Sequence, residues 1–165
     1  MPPTAATPVP PGSPTTGRPG FTLVELVIVV MLLGVLAGVA APKYTAALAA
    51  VNLEAATKRL AADVRRARAH AIDSAQQVEI VFEPVAEAYH CGQISDPSRP
   101  DQTLSVALVE RFGGVRIAGA DFGGGETLTF DWRGQPNAAG EVKLAAGGAS
   151  GIVVIGPLGD VEVTP

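Results

Sequence analysis

The strongest hydrophobic pattern in the chain is one long apolar run, residues 21–41, which carries a single charged residue, Glu25. An α-helix over this run would be about 32 Å long, close to the roughly 30 Å hydrocarbon core of a bilayer. No other stretch of the sequence is long and apolar enough for a second crossing. The pattern therefore predicts one membrane-spanning helix near the amino terminus.

Helical periodicity continues beyond the apolar run and predicts an amphipathic helix that covers a sheet. Small and apolar residues recur at intervals of three or four, at Leu53, Ala56, Leu60, Val64, Ala67 and Ala71. Four basic residues fall largely elsewhere, at Lys58, Arg65, Arg66 and Arg68. Pro42 lies where the two parts of the helix meet. Because proline removes one backbone hydrogen bond, we expect it to kink the helix there without ending it.

Beyond Gln77 the pattern changes to short apolar runs separated by glycine and proline, which is typical of antiparallel strands. The predicted strands are 78–82, 104–109, 115–117, 127–130, 141–144, 151–155 and 161–163. Residues 89–103 lack a clear pattern and predict an irregular loop. The expected fold class is α+β, with a long amino-terminal helix, part transmembrane and part amphipathic, packed on an antiparallel sheet.

Charge divides the chain into a basic and an acidic part. Between Lys43 and Asp73 there are six basic and three acidic residues, whereas from Glu79 onward five basic residues face twelve acidic ones. Complementary charge of this kind could orient neighbouring subunits, helix against domain. The alternative is that the helix arginines are simply solvated surface charge.

The sequence contains no constellation typical of an enzyme. His70, His90 and Cys91 are the strongest candidate metal ligands or nucleophiles, but adjacent residues of a strand point to opposite faces, so His90 and Cys91 would not chelate one ion together. The acid pairs Asp121 with Glu126 and Asp160 with Glu162 lack the spacing of a calcium loop. We expect no catalysis, no cofactor and no metal. A lone cysteine also excludes an intramolecular disulfide.

Glu25 is the residue whose placement most needs an explanation. A carboxylate at the centre of a membrane helix costs roughly 2.5 to 3.5 kcal/mol, and less near the interface, so it tends to persist where something pairs with it. Cleavage between Gly20 and Phe21 would free an ammonium group four residues before Glu25. We expect Glu25 to pair with this group, on the same subunit or on a neighbouring one. Gly34 and Gly38 have the spacing that lets helices approach closely, although glycine is also simply common in membrane helices.

The segment from Gly20 to Glu25, Gly-Phe-Thr-Leu-Val-Glu, followed by the apolar run, resembles the class III signal of type IV prepilins and type II secretion pseudopilins. The resemblance implies cleavage after Gly20 by a prepilin peptidase, N-methylation of Phe21 and assembly of the helices into a filament core. The leader, residues 1–20, departs from the usual pattern because it is long, rich in proline and threonine, and has only Arg18 as a basic residue.

Residues 60–72, followed by 78–80, resemble the helix-to-strand passage of the GspH/FimT family, and 128–134 and 152–161 are similar to its later strands and turns. His70 stands where that family usually has an acid. The resemblance implies a minor pseudopilin of the type II secretion pseudopilus that acts in protein export. The alternative is a minor type IV pilin, FimT-like, in pilus assembly or DNA uptake. Two acids near the carboxyl terminus, Asp160 and Glu162, would repel phosphates, so we expect no DNA binding.

The same resemblance implies four regions, a location and partners. The regions are the cleaved leader 1–20, the transmembrane or filament-core helix 21–42, the amphipathic half of the helix 43–76 and the β-rich periplasmic domain 77–165. The expected location is the bacterial inner membrane, crossed once, with the carboxyl-terminal domain in the periplasm and the assembled subunit in a pseudopilus. The expected partners are other pilins or pseudopilins, the prepilin peptidase, the inner-membrane assembly platform, the membrane itself and possible secreted substrates.

Overall fold

The computed structural model describes residues 20–164, apart from the side chains of residues 39–42. Of the predicted leader, residues 1–20, all but Gly20 lie outside the described residues. The described part forms two units, divided between Val39 and Ala40. The first unit contains the apolar run, and the second contains the amphipathic stretch of helix and every strand.

A long helix opens the described chain and is followed by eight strands and one short helix. The elements are α1 (Leu23–Ser74), β1 (Val78–Glu83), β2 (Ala88–Asp96), β3 (Arg99–Ala107), α2 (Leu108–Arg111), β4 (Arg116–Asp121), β5 (Thr127–Phe130), β6 (Gly140–Ala146), β7 (Ala149–Ile155) and β8 (Val161–Thr164). Helix α1 continues through Pro42, and the kink expected at that residue stays a prediction. The architecture is α+β, with a long helix packed on antiparallel sheets, as the sequence predicts.

The strands form two antiparallel sheets of four strands each, where the sequence predicted a single sheet. The first has the order β3-β2-β1-β5 and the second the order β4-β6-β7-β8. Their inner faces share one hydrophobic core with α1, whose largest fully buried side chains include Leu60, Phe82, Tyr89, Phe130 and Leu144. The chain passes from the second sheet at β4 to the first sheet at β5, which pairs with β1, and then back to the second sheet at β6.

All six positions of the predicted apolar stripe on α1 are buried, which confirms that this face covers the sheets. The close approach of α1 to β7 depends on a small residue opposite Thr57. A Cβ atom built on Gly151 would lie 2.8 Å from the Thr57 hydroxyl oxygen, which itself donates a hydrogen bond to the Leu53 carbonyl at 2.7 Å. Gly151 thus allows helix and sheet to meet without a gap.

The prediction of an irregular loop over residues 89–103 is wrong. This segment contains most of β2 and the first half of β3, paired as an antiparallel hairpin whose register is shifted between Cys91 and Ser95. The shift breaks the alternation of buried and exposed residues in β2, and the first five residues of β3, the edge strand of its sheet, are all exposed. Neither strand therefore shows an apolar pattern.

A second correction concerns the predicted strand 104–109. Its first residues complete β3, but residues 108 and 109 belong to the short helix α2. Leu108 is buried, and its amide donates a hydrogen bond to the Glu87 carbonyl at 2.9 Å. Leu108 is thus the buried residue of a single turn of helix, whereas Val109 is 42% exposed.

Candidate functional site

The segment predicted to be processed lies at the start of α1, where the backbone is not yet helical. Gly20, Phe21 and Thr22 precede the helix, and the Phe21 side chain is 84% exposed. The Thr22 hydroxyl accepts a hydrogen bond from the Glu25 amide at 3.2 Å, so Thr22 caps the helix. The Gly20–Phe21 peptide bond therefore lies in non-helical, exposed chain immediately before a capped helix.

Glu25 lies in the first turn of α1, next to the positive end of the helix dipole, where a negative charge is stabilised. Within residues 20–164 its carboxylate has no hydrogen-bonding or ion-pairing partner. The ammonium group of Phe21 would exist only after cleavage, so the pairing of Glu25 with that group stays a prediction. A threonine cap followed three residues later by a glutamate is also the sequence of a capping box, but only the half in which the Glu25 amide bonds the Thr22 hydroxyl is formed within residues 20–164.

The apolar run in the first unit leaves its side chains uncovered on every side. Its large apolar residues are between 44% and 78% exposed from Leu23 to Leu36, and α1 is long and apolar enough to cross a membrane by length and composition. Cβ atoms built on Gly34 and Gly38 would meet nothing within 4 Å. An apolar surface of this length is typical of a helix that lipid or other helices cover.

In the second unit, α1 is joined to the β2–β3 hairpin by a buried network around two aspartates. Asp63 on α1 accepts hydrogen bonds from Arg59 Nε at 2.7 Å, from Arg66 Nη1 at 3.3 Å and from the Tyr89 hydroxyl at 2.9 Å. Burial, together with the Asp63 charge, raises the pKa of Tyr89 well above its ordinary value. The Asp63 charge is therefore fully compensated by one neutral and two cationic donors.

Asp96, at the end of β2, is the second buried carboxylate of this network. Its Oδ1 accepts hydrogen bonds from the Ser98 amide at 2.9 Å and from Arg59 Nη2 at 3.2 Å, and Arg111 Nη1 lies 3.5 Å from Oδ2. The Ser98 amide, followed by Arg59 and Arg111, holds the pKa of Asp96 below its ordinary value against the opposing effect of burial. Arg59 thus bridges an aspartate of the helix and one of the hairpin.

Two further arginines fasten the other flank of α1 to main-chain carbonyl groups. Arg65 Nη2 donates to the Val161 carbonyl at 2.7 Å. Arg68 donates to the Gly134 carbonyl at 3.0 Å and to the Leu158 carbonyl at 2.9 Å. Arg65, Arg66 and Arg68 therefore each have an acceptor within the second unit, and Arg65 is exposed to solvent as well. Whether these residues also orient a neighbouring subunit stays a prediction.

The candidate ligands His70, His90 and Cys91 do not come together. His90 and Cys91 occupy opposite faces of β2, since Cys91 is buried and His90 is half exposed, 3.8 Å from a Glu83 oxygen. Burial raises the pKa of the Cys91 thiol, which makes it a poor nucleophile. The described residues contain no group of three or more side chains placed to hold a metal ion.

A groove of about 400 Å³ lies between α1 and the β7–β8 pair, and we call it the α1–β8 groove. It is lined mainly by apolar atoms, among them those of Ala50, Leu53, Gly151 and Val163, and also by the ion pair of Glu54 and Lys58. Strand β8 is the edge of its sheet. This groove was not predicted, because its two walls are far apart in the sequence and each has an ordinary amphipathic pattern.

A second surface lies on the side of α1 that faces away from the core. Tyr44, Leu48 and Val51 are 71%, 48% and 62% exposed and are spaced by four and three residues. This spacing places them on one face of the helix. We call them the α1 outer stripe. The spacing is visible in the sequence, but only the structure shows that nothing in the described second unit covers it.

Comparisons with known proteins agree with this architecture. The family described as type II transport protein GspH matches residues 56–159, and the prokaryotic N-terminal methylation motif matches residues 17–41. No curated protein matches the chain.

Among solved structures, the chain is similar to the type IV minor pilin FimU of Pseudomonas aeruginosa (strain PAO1) in space group P21. This match has 17% sequence identity and a TM-score of 0.52, and it covers 68% of this chain and 88% of that one. A second crystal form of the same protein, in space group P65, has 16% identity and a TM-score of 0.48, with 68% and 93% covered.

At this identity the likeness to FimU in its P21 form shows a shared fold. The GspH match covers more than half of the sequence and includes the arginine-rich stretch of α1 and every strand except β8. The methylation motif includes the capped start of α1 and the apolar run. The chain therefore belongs to the GspH family of type IV pilin-like proteins, whose members are structural subunits.

Proposed function

We propose that this chain is a minor pseudopilin, a structural subunit of the type II secretion pseudopilus that acts in protein export. The observation that carries the proposal is the presence on one chain of a GspH domain, residues 56–159, and of the methylation motif, residues 17–41. The first supplies the folded body and the second supplies the anchor by which such subunits enter a filament.

The first step is removal of the leader by a prepilin peptidase between Gly20 and Phe21, followed by N-methylation of Phe21. The exposed, non-helical backbone at this bond supports the step, because a peptidase requires extended chain and a capped helix begins only at Leu23. The new amino terminus would then lie just before the first turn of α1, where Glu25 is found.

The second step is transfer of the helix from the membrane to a filament. The apolar side chains of the first unit are covered by lipid before assembly and by neighbouring helices after it. Glu25 pairs with the Phe21 ammonium of an incoming subunit, since a carboxylate in an apolar setting gains most from a charged partner. The inner-membrane assembly platform and other pilins or pseudopilins are the partners that this step requires.

The folded second unit then occupies the periplasm and provides the surface for other pseudopilins and for secreted substrates. Its bonded arginines and its acidic carboxyl-terminal strand argue against DNA as the partner. Arg65, Arg66 and Arg68 have main-chain or carboxylate acceptors within the unit, and Glu162 lies on β8. A basic surface for phosphates is therefore not formed by this flank of the helix.

Intact mass spectrometry of the chain from membranes of a host with its own prepilin peptidase tests the proposal. We expect a species that begins at Phe21 and carries one added methyl group. The matched control is Gly20→Ala, which should be poorly cut because the motif that the sequence resembles has glycine immediately before the bond. A wild-type chain that keeps its leader, or that is cut after Ala41, would overturn the proposal.

The destination of the processed subunit is tested by deletion of its gene in the same host. Loss of protein export with surface pili intact is the expected result for a pseudopilin. Loss of pili with export intact would instead establish the alternative, a minor type IV pilin. Complementation with the wild-type chain, and not with Gly20→Ala, links either phenotype to the processed form.

A further inference from the structure

We propose that a polar groove beside β5, the edge strand of the first sheet, binds a neutral glycan, with Trp132 as the ring on which a sugar stacks. The groove has a volume of about 330 Å³, and we call it the β5 groove. Its lining residues are Gln77, Thr129, Asp131, Gln135, Pro136 and Asn137. The inference goes beyond the proposed function and takes from it only the periplasmic location.

Hydrogen bonds hold the walls of the β5 groove in one conformation. The Asn137 side chain accepts a bond from the Thr129 amide at 3.0 Å and donates one to a β5 carbonyl at 3.2 Å. Asp131 Oδ1 accepts bonds from the Arg133 and Gln135 amides at 2.9 and 2.8 Å. A ligand would therefore meet groups that are already in position, so that little conformational entropy is lost on binding.

Several polar side-chain groups in the β5 groove remain free. Within residues 20–164, the amides of Gln77 and Gln135 and the Thr129 hydroxyl form no hydrogen bond, and Asp131 Oδ2 accepts none. Amide and hydroxyl groups both donate and accept, as the hydroxyl groups around the edge of a sugar ring do. The negative charge of Asp131 disfavours an anionic ligand. The free groups therefore match a neutral, hydroxyl-rich molecule.

Trp132 supplies the apolar surface on which a sugar ring packs. It directly follows Asp131 in the turn between β5 and β6, and it is 54% exposed. The Arg133 guanidinium carbon lies 4.5 Å from the centre of the Trp132 ring, and this contact restricts the motion of the ring. The C–H groups of a pyranose can pack on the open part of the ring, and the indole N–H can donate to a sugar hydroxyl.

The composition of the β5 groove argues against a protein or a metal ion as its ligand. The centre of a protein-binding surface is depleted in charged residues and rich in aromatic and apolar ones, whereas Pro136 is the only apolar residue among the six that line this groove. In the described part of the chain, no three side chains of metal-binding type are placed to hold an ion. A glycan is the ligand class that uses both the free polar groups and the exposed ring.

Trp132 is the only tryptophan in the sequence, so its fluorescence reports binding directly. The test titrates the full-length chain with cellotetraose and with the tetramer of N-acetylglucosamine, in a zwitterionic detergent that has no sugar head group to compete. We expect a saturable change with at least one of the two. Gln135→Ala should raise the dissociation constant several-fold, which is the effect of one lost hydrogen bond. The matched control, Gln102→Ala, should leave it unchanged, because Gln102 is exposed on β3 and outside the groove.

The role of the ring is tested by isothermal titration calorimetry with the tetramer that binds. Trp132→Ala should lose most of the affinity, and Trp132→Phe, which keeps a ring, should lose less. Unchanged affinity of Trp132→Ala, an equal loss in Gln102→Ala, or no saturable change with either tetramer would overturn the inference. Because these measurements use purified components, none of those results bears on the processing or the assembly of the subunit.

Sedimentation with purified peptidoglycan sacculi identifies the source of the glycan. Retention of the chain that the free tetramer competes away would support cell-wall glycan strands as the ligand. Binding of a soluble tetramer without retention would support another neutral glycan. If the chain is retained only by sacculi that still carry bound protein, and neither tetramer changes the fluorescence of Trp132, the ligand is a protein and the inference is overturned.

Discussion

The Tyr89 hydroxyl donates a hydrogen bond to Oδ2 of Asp63 at 2.9 Å, and both side chains are buried between α1 and β2. The same oxygen accepts a bond from Arg59 at 2.7 Å. Arg59 and Arg66 lie on α1 with Asp63, so the bonds that join the helix to the β2–β3 hairpin are those of Tyr89 to Asp63 and of Arg59 to Asp96. A shift of α1 along its axis would break both of these bonds. The rotation and the register of α1 on the first sheet are therefore specified by polar groups as well as by the apolar stripe.

Tyr89→Phe should lower the free energy of unfolding by about 1 to 3 kcal/mol, since Asp63 loses one of three donors in a buried site. Urea unfolding of the detergent-solubilised full chain, followed by Trp132 fluorescence, measures the change. Tyr44→Phe is the matched control, because Tyr44 is exposed and its hydroxyl has no partner in residues 20–164. Equal stabilities of the two variants would show that the Tyr89–Asp63 bond contributes nothing.

The same bond predicts a loss of stability in alkali. The pKa of Tyr89 in the folded chain lies above its ordinary value of 10.0, mainly because of burial and then because of the Asp63 charge. Its contribution is thus complete below about pH 10 and declines as the pH rises further, since the unfolded chain can ionise there and the folded chain cannot. The difference in unfolding free energy between wild type and Tyr89→Phe should shrink above this pH. A constant difference up to strongly alkaline pH would contradict the prediction.

Gly159→Ala should weaken the attachment of Arg68. Gly159 has a φ angle of +78°, and a Cβ atom there would lie 2.6 Å from the Gly134 carbonyl oxygen and 2.8 Å from Arg68 Nε. We expect a loss of roughly 1 to 3 kcal/mol from strain, increased by the displaced guanidinium group. Gly124→Ala is the control, because its φ is +92° but no atom lies within 4 Å. Thermal or urea unfolding measures the stability of both variants. If Gly124→Ala is as unstable as Gly159→Ala, the loss of stability comes from backbone strain alone and the contact with Arg68 contributes nothing.

Glu25→Ala should reduce incorporation into filaments without unfolding the second unit, because it removes the charge that we propose to pair with the Phe21 ammonium. Thr22→Ala removes the helix cap but keeps the carboxylate, and a cap contributes about 1 kcal/mol. We therefore expect Thr22→Ala to assemble better than Glu25→Ala. Sheared-filament yield, with peptidase cleavage confirmed by mass for each variant, is the measurement. Equal defects would assign Glu25 to capping, and normal assembly of Glu25→Ala would refute the pairing.

The helix and most strands could be predicted because their signals are local. The spacing of Leu53, Ala56 and Leu60 marks the buried face of α1, and the apolar run at 127–130 coincides with β5. Strand β2 was missed because the shift after Cys91 interrupts its alternation, and the start of β3 was missed because its first five residues are all exposed. In both cases the strand is held by main-chain hydrogen bonds, which the pattern of apolar and polar side chains does not reveal.

The docking of the helix arginines could not be predicted for a different reason. Nothing in the sequence says whether a guanidinium group meets water or a carbonyl oxygen, and Arg65 and Val161 are 96 residues apart. The only available signal was the position of Arg65, Arg66 and Arg68 beside the buried stripe, at the two borders where a helix meets its sheets. The α1–β8 groove was hidden likewise, since it arises only when Leu53 and Val163 are brought together.

The main-chain acceptors of Arg65 and Arg68 give this domain freedom to change. Every amino acid supplies a main-chain carbonyl group. Substitution of the exposed Leu158 side chain, or of Arg133 beside the half-exposed Trp132, therefore leaves the carbonyl acceptors of Arg68 in place. The outward-facing side chains of these two turns can therefore diversify toward new partners while the helix stays fastened. A subunit built in this way can acquire a new surface specificity without having to evolve a new attachment between its anchor and its body.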